Sequence, residues 1–222
     1  MHERNYNEGC NKVDKKVIGI KMQQEYICPK CKSELDQQKN QYACKSCAAL
    51  WPVINGIPVF SEGDIPYWSE IKEEDSNAMN DYARKHGYKV AINKFMRAES
   101  REIILAKSRI NWKYLVESDI KGKVLDIGCG WGGLAFGFAD EGEKVYALES
   151  VRERIEFVEI RRAEEKINNL MPLCGNGLKL PFKDAFFDMV ILNGVLEWIG
   201  LSDLSRTTEQ VQIALLQEIK RV

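Results

Sequence analysis

The stretch Val124-Leu125-Asp126-Ile127-Gly128-Cys129-Gly130-Trp131-Gly132-Gly133 decides how the rest of the chain reads. Its first half is a short apolar run interrupted by one acid, Asp126, and its second half is a glycine turn. Lys123–Ile127 is expected to be a strand and Leu134–Asp140 a helix closed by Gly142. Glycines at 128, 130 and 132 let the backbone turn tightly and approach a ligand without Cβ clashes. The helix would begin at this turn, so its unpaired N–H groups would face that ligand.

Working outward, Lys144–Leu148 reads as a second strand, Met171–Cys174 as a weaker third and Phe187–Leu192 as a strongly apolar fourth. Between them, Arg152–Asn168 is a charged amphipathic helix with Ile155, Val158 and Ile167 on one face. Ser205–Val222 is helical, with Val211, Leu215 and Ile219 at helical spacing. Strands alternating with helices imply parallel βαβ units. A strand as apolar as Met189-Val190-Ile191-Leu192 implies a sheet covered on both faces. The predicted fold class is α/β, a Rossmann-like doubly wound sheet of about four strands, preceded by a small β-rich unit.

The glycine pattern does not choose its ligand. Gly128, Gly130 and Gly133 also satisfy G-x-G-x-x-G, the dinucleotide fingerprint, so a nicotinamide cofactor fits the pattern, as does a bare turn with no ligand. Glu149 ends the second strand about 20 residues past the first glycine, where a carboxylate can accept ribose hydroxyls of either cofactor. Asp126 discriminates: a carboxylate sits poorly beside a pyrophosphate, and well beside an ammonium and a sulfonium.

With these features the sequence resembles the class I S-adenosylmethionine-dependent methyltransferases, through Val124–Gly133, Tyr146–Glu149, Gly175–Phe182 and Phe187–Glu197 in that order. The resemblance implies that Asp126, Gly128, Cys129, Gly130 and Gly132 underlie the methionine part of S-adenosylmethionine and that Glu149 holds its ribose. Gly175-Asn176-Gly177-Leu178-Lys179-Leu180-Pro181-Phe182 looks like the family's Gly-Asp-Ala-x-x-Leu-Pro-Phe stretch. Asn176 there replaces an Asp near the adenine amino group, and an Asn oxygen can still accept that hydrogen bond. Asn193 follows the fourth strand, where the family's cofactor and acceptor sites meet. The family's sheet has seven strands. The chain ends where the family often reads Leu-Lys-Pro-Gly-Gly, so a C-terminally truncated domain is expected. The fourth strand would then be an apolar edge that a partner or a dimer could cover.

Asn193–Gly200 is similar to methyltransferases of bacterial surface-glycan pathways. Glu197 could accept a proton from an acceptor hydroxyl, or be a carboxylate favoured at a helix start. The expected reaction is methyl transfer to a small-molecule or glycan hydroxyl. RNA methylation is the less favoured reading, and an adaptor that holds cofactor without turnover is a further one.

Cys28-Pro29-Lys30-Cys31 and Cys44-Lys45-Ser46-Cys47 are two C-x-x-C knuckles with twelve residues between them. Four thiolates complete a tetrahedron with no open position, so the expected ligand is a structural zinc. An iron–sulfur cluster and a redox dithiol are the competing readings. Asn55-Gly56 between two apolar runs signals a hairpin. Residues 25–60 resemble the zinc-ribbon proteins that activate tRNA and translation-factor methyltransferases, a ribbon that some bacterial methyltransferases carry at their N-terminus.

The totals fit this picture. The 222 residues are 45% hydrophobic and carry a net charge of -1, so no global basic field draws the chain to nucleic acid. Met1–Glu25 is polar, without the pattern of a signal peptide, and no apolar run reaches the roughly 20 residues that span a bilayer. A reducing, cytoplasmic setting is therefore expected, with clustered cysteines as metal ligands. The expected sections are a flexible tail (1–24), a zinc ribbon (25–60), a helical cap or linker (61–120) and the cofactor-binding domain (121–222). Aromatics of the cap, among them Tyr67, Trp68, Tyr82 and Trp112, read mainly as packing residues. Cys10 is expected to be a free thiol, and Cys129 and Cys174 small packing residues.

Overall fold

The computed structural model describes residues 25–62, 67, 69–115 and 122–222. The tail at 1–24 with Cys10, and Trp68, lie outside the described residues.

Strands β1 (Leu35–Gln37), β2 (Gln41–Cys44), β3 (Leu50–Ile54) and β4 (Ile57–Phe60) form an antiparallel meander. Asn55 and Gly56 join β3 to β4 with φ of 53° and 83°, the two positive values that a type I′ hairpin turn requires. Helices α1 (Glu73–His86), α2 (Tyr88–Phe95) and α3 (Ala98–Leu105) follow, then a 3-10 helix over Lys107–Leu115. The α/β part comprises β5 (Lys123–Ile127), α4 (Gly133–Asp140), β6 (Lys144–Glu149), α5 (Arg152–Glu165), β7 (Leu170–Gly175), β8 (Met189–Leu192) and α6 (Thr208–Arg221).

The eight strands among the described residues join one mixed sheet in the order β1-β2-β3-β4-β7-β6-β5-β8. The meander's last strand pairs in parallel with β7, Val59 opposite Cys174 and Phe60 opposite Gly175, so the sheet runs through the section boundary drawn at residue 60. From β5 the chain builds outward through β6 to β7, then returns to β5's other side as β8. That reversal is a topological switch point, and in such sheets ligands bind beyond the carboxyl ends of the strands.

Alternation within β5 sends Val124 to one face and Leu125 and Ile127 to the other. The first face is buried under α4 and α5, through Phe136, Phe138, Ile155 and Val158. The second is buried under α6, through Val211 and Leu215, and under the rings of Tyr26, Phe60 and Phe182. Both faces are covered, as the apolar strands predicted. Helices α1 to α3 form an outer layer against α5, where Met79, Tyr88, Ile92 and Ile104 pack around Phe157.

Several boundaries differ from expectation: α6 starts at Thr208 where Ser205 was expected, β7 extends one residue at each end beyond Met171–Cys174, and two further shifts have a visible local cause. Helix α5 ends at Glu165 because Lys166 turns left-handed (φ 56°) and Ile167 donates back to the Arg162 carbonyl at 3.0 Å. Ile167 thus lies past the helix, although it packs on the same cluster. The fourth α/β strand starts at Met189, because the Phe187 N–H bonds the Val222 carbonyl (2.9 Å) at the end of α6.

Candidate functional site

The glycine turn sits at the carboxyl end of β5. Gly128, Gly130 and Gly132 all have positive φ (66°, 56° and 86°), a conformation that disfavours other residues. A Cβ on Gly128 would lie 2.5 Å from Val195 Cγ2, so the turn is packed directly against the loop that follows β8. At Gly130 a Cβ would meet nothing within 4 Å. The backbone there borders open space.

Glu149, at the end of β6, holds the turn in place. Its carboxylate is 4% exposed, accepting from the Gly130 N–H (2.9 Å) on one oxygen and from the Val151 N–H (2.9 Å) on the other. Ser150 Oγ also donates to the second oxygen (3.2 Å), so it is the oxygen facing Gly130 that keeps a lone pair for a further donor. Beside it lies a small ionic cluster. Arg154 Nη1 stands 3.9 Å from Glu149 and its Nη2 donates to Glu70 (2.6 Å), which also accepts from Trp131 Nε1 (3.0 Å). Burial pushes the Glu70 pKa up, but Arg154 and Trp131 outweigh it and hold the carboxyl below its usual range.

Asp126 lies beneath the turn, 2% exposed. Desolvation and then the Glu149 charge raise its pKa from 3.8 to about 7, against the Ala135 backbone N–H and the Arg109 guanidinium, which lower it. Its Oδ2 has no hydrogen-bond partner. An orphaned buried carboxylate oxygen is costly, and it marks this end of the sheet as a place where a cation is wanted.

The loops after β7 and β8 complete the rim. Gly177 sits close enough to β5 that a Cβ would come 3.1 Å from Ile127 Cγ2. Asn176 is half-buried, and its Oδ1 accepts from the Leu178 N–H (2.9 Å), so part of its accepting capacity shapes its own loop. Asn193 and Glu197 are exposed beyond β8, and Glu197 lies two residues before the turn of 3-10 helix at Ile199–Ser202. The turn, Glu149, Gly177 and the Asn193–Glu197 loop thus gather at one end of the sheet. Cys129 is buried and its thiol pKa is driven well up by desolvation, so it is no nucleophile at neutral pH. Cys174 is likewise pushed up to about 12 by burial.

Residues 124–218 match the sequence profile of a family described as "Methyltransferase domain". A search of curated proteins gives no match. Solved structures that align with the chain include a Methanococcus maripaludis protein provisionally described as an S-adenosyl-L-methionine-dependent methyltransferase. That one is 15% identical over 72% of this chain and 62% of its own, with a TM-score of 0.48. A SAM-dependent methyltransferase of Aquifex aeolicus is 22% identical over 60% and 65%, with a TM-score of 0.43. Phosphoethanolamine N-methyltransferase 2 of Haemonchus contortus, solved with phosphomonomethylethanolamine and S-adenosylhomocysteine, is 18% identical over 64% and 33%, with a TM-score of 0.43. The chain spans less than two thirds of the length of each.

S-adenosylmethionine fits the residues present. The orphaned Asp126 oxygen suits its cationic end, and the open backbone at Gly130 beside Glu149 leaves room at the ribose side. A pyrophosphate would meet two carboxylates, Asp126 and Glu149.

The second cluster lies in the meander. The sulfurs of Cys28, Cys31, Cys44 and Cys47 all fall within 4.8 Å of one another, and the Ser46 and Cys47 N–H groups both donate to Cys44 Sγ at 3.4 Å. Four thiols converging in this way form a donor set that fits one tetrahedral ion. The cluster is tied to the α/β part: Ile27 N–H bonds the Pro181 carbonyl (2.9 Å), and Lys32, next to Cys31, donates to the Leu180 carbonyl (3.1 Å) and to Glu218 (2.5 Å).

Sequence reasoning missed Arg109, Arg154 and Glu70. Arg154 sat unmarked among the charges of an amphipathic helix, and Arg109 and Glu70 belong to the section with the weakest periodicity. An unbalanced buried acid, Asp126, was the one signal that a cation must approach from elsewhere.

Proposed function

We propose that this chain binds S-adenosylmethionine at the glycine turn and transfers its methyl group to a hydroxyl of a small molecule or glycan. The observation that carries the reading is the pairing, at a switch point, of a positive-φ glycine turn with Glu149 and with an Asp126 oxygen left without a partner. When bound, the cofactor supplies a methyl group already activated on a sulfonium.

The rest is positioning. Glu149 would offer the free lone pair of its Gly130-facing oxygen to a ribose hydroxyl, with Gly130, Ser150 and Val151 fixing its rotamer. Asn176 and Gly177 would border the adenine, and the local bond from Leu178 fixes the Asn176 side chain. Asn193 would stand between cofactor and acceptor, and Glu197 would take the proton from the acceptor hydroxyl. Its exposure suits a group that must meet a ligand from solvent. The four cysteines would hold a structural zinc, with no open position for chemistry.

Calorimetric titration of the full chain with S-adenosylmethionine and, separately, NAD tests the cofactor. Tight binding of the first and none of the second is expected. The reverse preference, or no binding of either at millimolar concentration, refutes the reading. With methyl-labelled cofactor and a hydroxyl-bearing acceptor, Glu197→Gln should lower kcat by about 100-fold, the lower end for a lost general base, and leave cofactor affinity unchanged.

A further inference from the structure

A cavity away from the glycine turn carries positive charge that the fold leaves unspent. It measures about 680 Å³ and opens between α2, the end of α3 and the last turns of α5. Arg161 lines it, seven residues past Arg154 on α5. Two helical turns, roughly 10 Å, thus separate it from the ionic cluster beside Glu149, in the direction of the strands' amino ends. Arg161 is 1% exposed, with its guanidinium carbon 3.8 Å from the centre of the Phe136 ring. Its Nε donates to Glu165 (2.9 Å) and its Nη1 to the Ile104 carbonyl (3.1 Å). Its Nη2 has no hydrogen bond among the described residues, yet it is not sealed from solvent. Donors left over on a buried, fixed guanidinium call for an acceptor.

The acids of the cavity are already engaged. Glu165 accepts from Arg161 and from the Tyr88 hydroxyl. Glu164 accepts from the Tyr88 N–H (2.9 Å) at the start of α2, where the helix dipole favours a negative charge. Of the lysines, Lys107 is held by Asp140 (2.7 Å), whereas Lys89 is exposed and has no ion pair among the described residues. The cavity therefore offers Lys89 from α2 and Arg161 Nη2 from α5 to one anion, beside Leu105 and Tyr88. We propose that it binds a small phosphate ester, with the phosphoryl oxygens shared between Arg161 and Lys89 and the organic part against Leu105 and Tyr88. A phosphoryl group presents three oxygens to donors on separate elements, one more than a carboxylate has. The volume lies within the range of about 300–1,000 Å³ usual for small-molecule sites, more than a bare phosphate fills. The site shares no residue with the glycine turn, so its occupancy does not depend on the cofactor reading.

Phenyl phosphate supplies the test: its phosphorus NMR signal is followed as the full chain is titrated in at constant ionic strength. Saturable binding is expected, several-fold tighter than that of inorganic phosphate, which lacks the organic part, and of benzoate, read by displacement. Arg161→Lys keeps the charge but loses the planar fork, and should weaken phenyl phosphate by about tenfold. Lys89→Ala, at an exposed position, should weaken it by about threefold. Lys45→Ala, an exposed lysine of the meander, should leave it unchanged. Binding that does not saturate, or an equal loss in Lys89→Ala and Lys45→Ala, would overturn the site and leave only general attraction to surface charge. Inorganic phosphate or benzoate binding as tightly as phenyl phosphate would overturn the assignment to a phosphate ester. Should Arg161→Lys fail to fold, the contrast between Lys89→Ala and Lys45→Ala still decides.

Discussion

The parallel part of the sheet ends in two different ways. On one side, β7 is paired along its carboxyl half with β4 and walled by Tyr26, Tyr42, Phe60 and Phe182, whose rings pack 5.1–5.8 Å apart. On the other side, β8 has four residues and, among the described residues, one neighbour, β5. The loops above the two edges follow suit. The Gly175–Phe182 loop is fastened by bonds from Ile27, Lys32 and Arg221, whereas Asn193 and Glu197 stand exposed. Of the two loops, the one after β7 is the more firmly held.

The largest effect should come from the four-cysteine cluster, the proposed zinc site. Chelation, or Cys28→Ser, should unfold the meander, since structural zinc supplies on the order of 10 kcal/mol to such units, and free β7's edge. Thermal melting with and without chelator checks this. An unchanged Tm would mean that the fastened edge stands without metal. Next in size is Phe60→Ala at the centre of the ring cluster, expected to cost about 3–5 kcal/mol by denaturant unfolding, and less than about 1 if the weld is superficial.

Asp126 lies between the two edges. Its folded pKa of about 7 exceeds the ordinary 3.8, so the folded state binds more protons between those values. Stability should therefore fall as pH rises from about 4 through 7, by up to about 4 kcal/mol. Asp126→Asn should flatten that slope and gain stability at pH 8 but not at pH 4. A parallel slope in the variant would clear Asp126 of responsibility.

Smaller effects separate the edges further. Lys32→Met removes the bonds to Leu180 and Glu218, and with Lys32 partly exposed about 1 kcal/mol is expected. Asn193→Ala in the exposed loop beyond β8 should change stability by less than about 0.5 kcal/mol. A larger loss for Asn193→Ala than for Lys32→Met would invert the comparison.

Much of this was legible from local pattern. The bounds of β5 emerged correctly because an apolar run met a glycine turn, and the Asn55-Gly56 hairpin because that dipeptide readily takes two positive φ values. The cysteine spacing likewise foretold four converging sulfurs. The pairing of β4 with β7 was not legible. It joins residues over 100 positions apart, and neither strand's pattern names its neighbour. The loss of Phe187 from β8 has the same origin, in a bond to Val222. Arg109 stayed hidden because its role depends on where the cap folds, not on any spacing of its own.

The most direct test of the account is hydrogen exchange on the full chain with and without S-adenosylmethionine. The account predicts slowed exchange in peptides covering 124–133 and 175–182, and little change over 35–54, which is already held by its own cluster. Exchange that ignores S-adenosylmethionine at both loops, or that NAD slows equally, would contradict it.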